Sequence, residues 1–222
     1  MTGDPAAFHP DWLRPAFAGA RVRALMTSRA GGVSAAPFDA LNLRDEVGDD
    51  PAAVAANRAR VHRAIGRPSW LLRQVHGIEV CDLDRLDPAA PGRPQADACV
   101  TTRTDRACEI QVADCLPVLF ADRRGRAVAA AHAGWRGLAG GVLEATLAAV
   151  VARAGCAADE VECWLGPCIG PTRFEVGDDV VAAFGGPGAA GGRAFVPVAA
   201  PPGKWLADLP ALARARLAGQ GV

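Results

Sequence analysis

Residues 109–137 read EIQVADCLPVLFADRRGRAVAAAHAGWRG, and they decide the fold because two apolar runs of strand length flank a turn sequence. The turn is Asp122-Arg123-Arg124-Gly125, and Asp in the first position with Gly in the fourth is typical of a type I turn. The stretch therefore predicts a β-hairpin.

The register of this hairpin decides which side chains meet. If Arg123 and Arg124 form a two-residue loop, Cys115 lies opposite His132 with their Cβ atoms about 4.5–5.5 Å apart. A three-residue loop with a bulge would also suit Gly125, and it would shift the register by one residue and turn the two side chains to opposite faces. The hairpin alone leaves both registers open.

The rest of the chain predicts a mixture of strands and grouped helices. Asp50 and Pro51 supply an N-cap and a first helical residue, so a helix is expected over 51–65, closed by Gly66. Other expected strands cover residues 20–28, 70–74, 78–82, 97–102, 108–113 and 161–165, and other helices the second part of 137–155, 178–184 and 204–217. Because helices and strands do not alternate strictly, we predict an α+β fold, with residues 1–222 forming a single domain.

Composition narrows the range of functions. The formal net charge is zero, which argues against nucleic acid or an anionic membrane as partner and favours a small ligand. Seven cysteines are scattered without paired spacing, which predicts free thiols and a reducing, cytoplasmic location. No stretch approaches the length of apolar residues needed for a membrane span, so we expect no membrane insertion.

Two of the four histidines have a sequence context that suggests chemistry. His76 and His132 both lie near glycines at predicted strand ends, where space is left for a ligand. Together with Cys115 they offer the nitrogen and sulfur ligands that zinc prefers, and three protein ligands leave a fourth position open. Two alternatives remain: the three residues are structural, or Cys115 is a nucleophile with His132 as its base.

Four further residues are candidates for substrate binding. Arg29 and Arg136 lie beside glycines in predicted loops, and a guanidinium offers two parallel donors to phosphate. Asn42 and Gln74 are amides in loop positions that can contact a base edge or hold a turn. Surface pairing for the arginines and turn formation for the amides are the alternatives.

Several ordered motifs between about residues 20 and 185 resemble those of the YfiH-like family, often labelled laccase-domain or polyphenol oxidoreductase. They are Thr27-Ser-Arg-Ala-Gly-Gly-Val-Ser34, Asn42-Leu with Val47-Gly-Asp-Asp50, Gln74-Val-His-Gly77, Ala96-Asp-Ala98 with Val100-Thr-Thr102, Ala113-Asp-Cys-Leu-Pro117, His132-Ala-Gly-Trp-Arg-Gly137, Leu165-Gly-Pro167 and Phe174-Glu-Val-Gly177.

The resemblance implies a layered α-β-β-α sandwich with mixed sheets, similar to the catalytic domain of cytotoxic necrotizing factors. It also implies zinc held by His76, Cys115 and His132. The activity implied is that of a purine nucleoside phosphorylase acting on adenosine, inosine and methylthioadenosine, with an adenosine deaminase activity. We expect purine nucleoside and phosphate as ligands, and a monomer or homodimer. Relatives usually continue beyond a point like Val222, so the C-terminus is shorter than usual.

Three rival functions are weighed against this one. A second description of the family implies a Cys-dependent amide hydrolase that edits peptidoglycan precursors, and a third hypothesis is a binding protein that uses zinc for stability alone. The laccase label fits poorly, because a multicopper oxidase needs many imidazoles and this chain has four histidines.

Overall fold

The computed structural model describes residues 8–19, 21–87, 92–186 and 192–222. The helices are α1 (Pro51–Ile65), α2 (Trp135–Gly140), α3 (Val142–Ala154), α4 (Asp178–Ala183) and α5 (Leu209–Ala218). The strands are β1 (Val80–Asp82), β2 (Ala98–Thr101), β3 (Leu116–Asp122), β4 (Val128–Ala133), β5 (Val161–Leu165), β6 (Glu175–Gly177), β7 (Phe195–Pro197) and β8 (Lys204–Ala207). Short 3-10 turns lie at Leu83–Arg85, Ala158–Glu160 and Gly192–Ala194.

The strands form a mixed sheet and an antiparallel sheet. The larger sheet has five strands in the order β1-β2-β4-β3-β5, in which β1 and β2 are parallel and the other pairs antiparallel. The smaller sheet has the order β6-β8-β7 and is antiparallel throughout. The predicted α+β class with mixed sheets is confirmed, while the similarity to the cytotoxic necrotizing factor domain stays a prediction.

Both faces of the larger sheet are covered, because its strands alternate between two hydrophobic clusters. On one face Val118 and Phe120 pack into the main cluster with residues of α3, α5 and the smaller sheet. On the other face Cys99 and Ala130 pack with Leu72 and other residues outside the strands. This double cover makes the sheet a rigid base for the side chains at its ends.

The hairpin forms as predicted, but in a different register. Its turn has the expected hydrogen bond from the Gly125 N–H to the Asp122 carbonyl oxygen (2.7 Å). The last residue pair of the ladder before the turn, however, is Ala121 with Val128. Arg126 lengthens the connection, because its N–H and guanidinium donate to the fully buried Asp122 carboxylate at 2.8–3.0 Å. The prediction that Cys115 lies opposite His132 is therefore wrong.

The observed register places His132 opposite Pro117, which is a shift of two residues. A shift of two preserves the face of every side chain, whereas a shift of one reverses it. Cys115 and His132 therefore still project from the same face of the hairpin, one step along the diagonal. The bulged alternative that would have separated them is also wrong.

The residues at the two ends of helix α1 allowed its bounds to be predicted correctly from the sequence. Asp50 accepts a hydrogen bond from the Ala52 N–H, and Gly66 ends the helix in the left-handed conformation at φ 64°. The helix predicted over 204–217 is wrong in its first part, because Lys204–Ala207 is the central strand of the smaller sheet. Pro210 lies in the first turn of α5, where the lack of an N–H costs nothing.

Three predicted strands are wrong. Within residues 21–28 only a single bridge forms, between Leu13 and Met26. Residues 70–74 contribute one isolated bridge, between Arg73 and Gln95, and residues 108–113 contribute no strand. Leu72, Cys108 and Ile110 of the last two segments pack instead into the cluster that covers one face of the larger sheet.

Two further observations bear on the class of protein. All seven cysteines are free thiols. Among the described residues, no helix combines the length and apolar character that crossing a membrane would require.

Candidate metal centre

Two imidazoles and one thiol converge at one end of the larger sheet. A nitrogen of His76, the Sγ of Cys115 and a nitrogen of His132 all lie within 4.8 Å of one another. The Sγ of Cys115 is 3.7 Å from Nε2 of His76, and the rings of His76 and His132 meet edge to face with centroids 4.7 Å apart. The predicted set of three residues is thus brought together.

The hairpin positions two of these residues. Cys115 comes directly before β3, and His132 is the next-to-last residue of β4. Continuing the ladder by one step from the pair of Leu116 and Ala133 places Cys115 opposite Gly134, the N-cap residue of α2. A Cβ on Gly134 would lie 2.9 Å from the Sγ of Cys115 and 2.6 Å from Cδ2 of His76. The absent side chain therefore leaves the space in which the three ligand atoms meet.

His76 reaches the site from the loop before β1. Its backbone is in the left-handed region at φ 60°, the only such non-glycine residue in the described part of the chain. The loop packs closely on α2, since a Cβ on Gly137 would lie 2.8 Å from the carbonyl oxygen of Gly77. His76 itself is exposed, so the site opens to solvent on this side.

A buried carboxylate stands behind the two histidines. Oδ1 of Asp97 lies 2.9 Å from Nδ1 of His132, and both side chains are almost fully buried. Because a carboxylate is an acceptor, the pair assigns the proton to Nδ1 and leaves the Nε2 lone pair facing the site.

The electrostatics of the site follow from burial and from Asp97. Burial lowers the pKa of His132, against the opposing effect of the Asp97 hydrogen bond. Burial also raises the pKa of Cys115, and the carboxylates of Asp114 and Asp97 add to this. For Asp97 itself burial raises the pKa, but the hydrogen bonds from His132 and the loop outweigh burial and lower it.

The donor atoms fit zinc. With Zn–S of about 2.3 Å and Zn–N of about 2.0–2.1 Å, tetrahedral ligands lie roughly 3.6 Å apart. The contact of 3.7 Å between Cys115 and His76 agrees with that spacing. Nitrogen and sulfur donors are the set that zinc prefers, and three of them leave one coordination position for a reactant.

The side-chain amides of Gln74 and Asn42, predicted to bind substrate or to hold a turn, form hydrogen bonds to the backbone of neighbouring loops. Gln74 forms two hydrogen bonds of 2.8 Å with the N–H and carbonyl of Gln111, which ties the His76 loop to the segment that leads to Cys115. Asn42 bonds to the backbone of Arg44 and to the carboxylate of Asp49, closing its own loop. Their predicted contact with substrate stays a prediction.

The two predicted arginines differ in their surroundings. The guanidinium of Arg29 donates twice to the carbonyl oxygen of Asp39, at 3.0 and 2.8 Å, and lies 3.5 Å from its carboxylate. Arg136 is exposed in the first turn of α2, four residues after His132, with its guanidinium 4.2 Å above the Trp135 ring. It forms no ion pair with any residue that the structure describes. Of these two arginines, Arg136 is therefore the one whose guanidinium is free of ion pairs among the described residues.

Asp97 and Arg44 were missed as site residues in the sequence. An acid between Ala96 and Ala98, at the start of an apolar strand, is the signal that could have identified Asp97, because carboxylates are rarely buried without a partner. Arg44 contributes to lowering the pKa of His132 and pairs with Glu46 at 2.9 Å. Nothing in its sequence context distinguishes it from the other arginines.

The fold and the site together define a class: α+β proteins with a His–Cys–His cluster at one end of a mixed sheet, able to hold a metal ion. The chain belongs to the YfiH family, whose model is described as multi-copper polyphenol oxidoreductase laccase and matches residues 23–222.

Relatives and solved structures support this assignment. The chain is 53% identical to a purine nucleoside phosphorylase of Pseudomonas aeruginosa over 96% of this chain and 82% of that protein. It is 45% identical to the purine nucleoside phosphorylase YfiH of Escherichia coli, over 96% and 83%. A crystal structure of a Neisseria meningitidis protein superposes with a TM-score of 0.87 at 46% identity, covering 96% of this chain and 84% of the other. YlmD from Geobacillus stearothermophilus superposes with a TM-score of 0.80 at 30% identity, covering 95% and 82%.

Proposed function

We propose that the protein is a zinc-dependent purine nucleoside phosphorylase that accepts adenosine, inosine and methylthioadenosine and also deaminates adenosine. The observation that carries the proposal is the convergence of the ligand atoms of His76, Cys115 and His132 within 4.8 Å. Three protein ligands leave one position of a tetrahedral zinc for a reactant. The names of the relatives from Pseudomonas aeruginosa and Escherichia coli support the reaction class.

His76, Cys115 and His132 would hold the zinc. When bound, zinc supplies a Lewis acid that polarises an oxygen of a reactant and makes water acidic enough to react near neutral pH. Burial favours the neutral form of the His132 imidazole, the hydrogen bond with Asp97 orients the ring, and exposed His76 leaves the approach open.

Arg136 is our candidate for holding phosphate. Its guanidinium is free of ion pairs among the described residues, while that of Arg29 is engaged by Asp39. Phosphorolysis joins a phosphate oxygen to C1′ of the ribose as the bond from C1′ to the purine nitrogen breaks. The purine leaves with that electron pair and takes up the proton that hydrogen phosphate loses. A fixed guanidinium would favour this by orienting the phosphate and neutralising its charge.

The decisive experiment measures release of hypoxanthine from inosine by zinc-loaded protein, with and without phosphate. We expect phosphate-dependent release that is lost in His76→Ala, together with ammonia release from adenosine. His62→Ala is the matched control, because it removes an imidazole from α1, outside the site. Absence of turnover for all three nucleosides in the zinc-loaded wild type would refute the proposal.

One contact favours a second candidate, the amide hydrolase. The Cys115 thiol lies 3.7 Å from Nε2 of His76, so an imidazole is placed to take its proton. The base would then be His76 rather than the predicted His132. Against this, burial raises the pKa of Cys115, whereas a thiol nucleophile benefits from a lowered one. Activity on a peptidoglycan precursor that survives chelation but is abolished by thiol alkylation would favour the hydrolase.

A further inference from the structure

We propose that Asp97 is a positioning residue that fixes both histidines of the metal centre through one carboxylate. It would set the tautomer of His132 and the backbone conformation of His76, and so the angle at which the two imidazoles meet Cys115. The inference rests on the metal site of the proposed function.

The first connection is to the side chain of His132. Oδ1 of Asp97 lies 2.9 Å from Nδ1, and this bond leaves Nε2 as the only ring nitrogen able to bind a metal. The backbone supports the same pair, since the His132 N–H donates to the carbonyl oxygen of Asp97 at 2.7 Å. Side chain and main chain together hold the ring in one orientation.

The second connection is to the backbone around His76. Three consecutive N–H groups donate to the Asp97 carboxylate: Val75 and Gly77 to Oδ2 at 3.1 and 2.7 Å, and His76 to Oδ1 at 2.8 Å. Left-handed backbone at a residue other than glycine costs roughly 1–3 kcal/mol and persists only when its surroundings impose it. The three bonds to Asp97 are the contacts that impose φ 60° on His76.

Both oxygens of the Asp97 carboxylate are fully used as hydrogen-bond acceptors. Its two oxygens accept four bonds, and its side chain is fully buried, so water cannot substitute for a lost partner. Its own backbone is also held, because the Asp97 N–H donates to the carbonyl oxygen of Glu79 at 3.1 Å. Both ligands therefore depend on one rigid group, although 55 residues separate them in number.

Asparagine cannot replace this group. If its NH₂ faced His132, the ring would have to accept at Nδ1 and carry its proton on Nε2, where the metal binds. If the NH₂ faced Val75 and Gly77, donor would meet donor and the His76 loop would be released. The first orientation disturbs both histidine ligands, because the His76 N–H donates to the same oxygen as His132, and the second disturbs the His76 loop.

The test compares Asp97→Asn with Asp114→Asn in the full chain. Asp114 is an exposed carboxylate next to Cys115, so its variant removes one negative charge near the site without breaking the Asp97 hydrogen bonds. Zinc affinity is measured by competition with a chromophoric chelator. Long-range ¹H–¹⁵N spectra of the imidazoles report the tautomer of His132 in the metal-free protein.

We expect Asp97→Asn to weaken zinc binding by roughly 10- to 100-fold, the range found when partners of metal-bound histidines are changed. The His132 proton should move from Nδ1 toward Nε2, and Asp114→Asn should bind zinc within about threefold of wild type. A purely structural role for Asp97 would not move the tautomer. Should Asp97→Asn fail to fold, Asp97→Glu takes its place, because the longer side chain keeps the charge but displaces both oxygens.

Two results would overturn the inference and separate it from the proposed function. If wild type binds zinc and the Asp97 variant binds it equally well with His132 in the same tautomer, the positioning role is refuted and the metal site stands. If wild type itself binds no zinc, the metal site of the proposed function fails and the positioning role fails with it.

Discussion

Replacing Gly134 by alanine should close the metal centre without straining the backbone. Gly134 has φ −66° and ψ 159°, a conformation open to any residue, so the added methyl group acts only through its contacts. Its Cβ would lie 2.6 Å from Cδ2 of His76 and 2.9 Å from the Sγ of Cys115. Real Cβ atoms essentially never approach other heavy atoms closer than 3.0 Å.

The size of the effect follows from these distances. Ordinary contact begins at 3.4 Å, so the ring of His76 must withdraw by roughly 0.8 Å and the thiol by somewhat less. Displacements near 1 Å in a catalytic site cost about 100-fold in rate. We expect a loss of at least about 100-fold in zinc affinity, because two of the three ligands move. Overpacking should cost roughly 1–3 kcal/mol of folding free energy.

The assay measures zinc affinity by chelator competition, inosine phosphorolysis at saturating zinc, and unfolding by urea. Gly170→Ala is the matched control, because a Cβ at Gly170 meets no atom within 4 Å. We expect the control to behave as wild type in all three measurements. The reasoning is refuted if Gly134→Ala binds zinc within threefold of wild type and keeps its rate.

Two further predictions concern charge. Arg136→Ala should raise the KM for phosphate by roughly 10- to 100-fold, which is the free energy of one charge-assisted hydrogen bond expressed as a ratio. The control Arg123→Ala, on the hairpin turn, should leave this KM unchanged. Steady-state kinetics with varied phosphate measures both values, and equal KM values would exclude Arg136 as the phosphate-binding residue. The carboxylate of Glu109, 3.6 Å from Nε2 of His62, raises the pKa of His62 above its ordinary value. The contribution of this ion pair to stability is therefore complete below the unfolded-state pKa and is lost as pH rises through the folded-state pKa. Urea unfolding of His62→Gln should therefore show a deficit against wild type at pH 5.5 that disappears by about pH 9, and a deficit independent of pH would contradict the linkage.

Those parts of the fold that depend on neighbours in sequence were predictable. Helix α1 begins and ends at the expected residues, because Asp50 caps its N-terminus, Pro51 is its first residue and Gly66 ends it in the left-handed conformation. The hairpin turn at Asp122 and Gly125 was predictable for the same reason. In each case the information lies within four residues of the boundary.

Features set by distant partners were not predictable in this way. Lys204–Ala207 follows no strand pattern of its own and extends because strands β6 and β7 lie on either side of it. His76 lies 39 positions before Cys115, and no periodicity connects them. Their side-chain chemistry and neighbouring glycines suggested a shared site, and the resemblance of ordered motifs to a family pointed to the same set. The role of the buried Asp97 carboxylate depends on groups from two other segments, so the sequence alone could not reveal it.

The register error shows why the three predicted side chains still converge and what the predicted register left unexplained. In the predicted register Cys115 faces His132, and Gly134 would lie opposite Ala113, a pairing that gives no reason for glycine. In the observed register Cys115 lies opposite Gly134, and a side chain there would occupy the space shared by the thiol and the ring of His76. The shift by two residues kept the right side chains on one face, because strand geometry repeats every two residues. The true register also accounts for the glycine, which the predicted one could not.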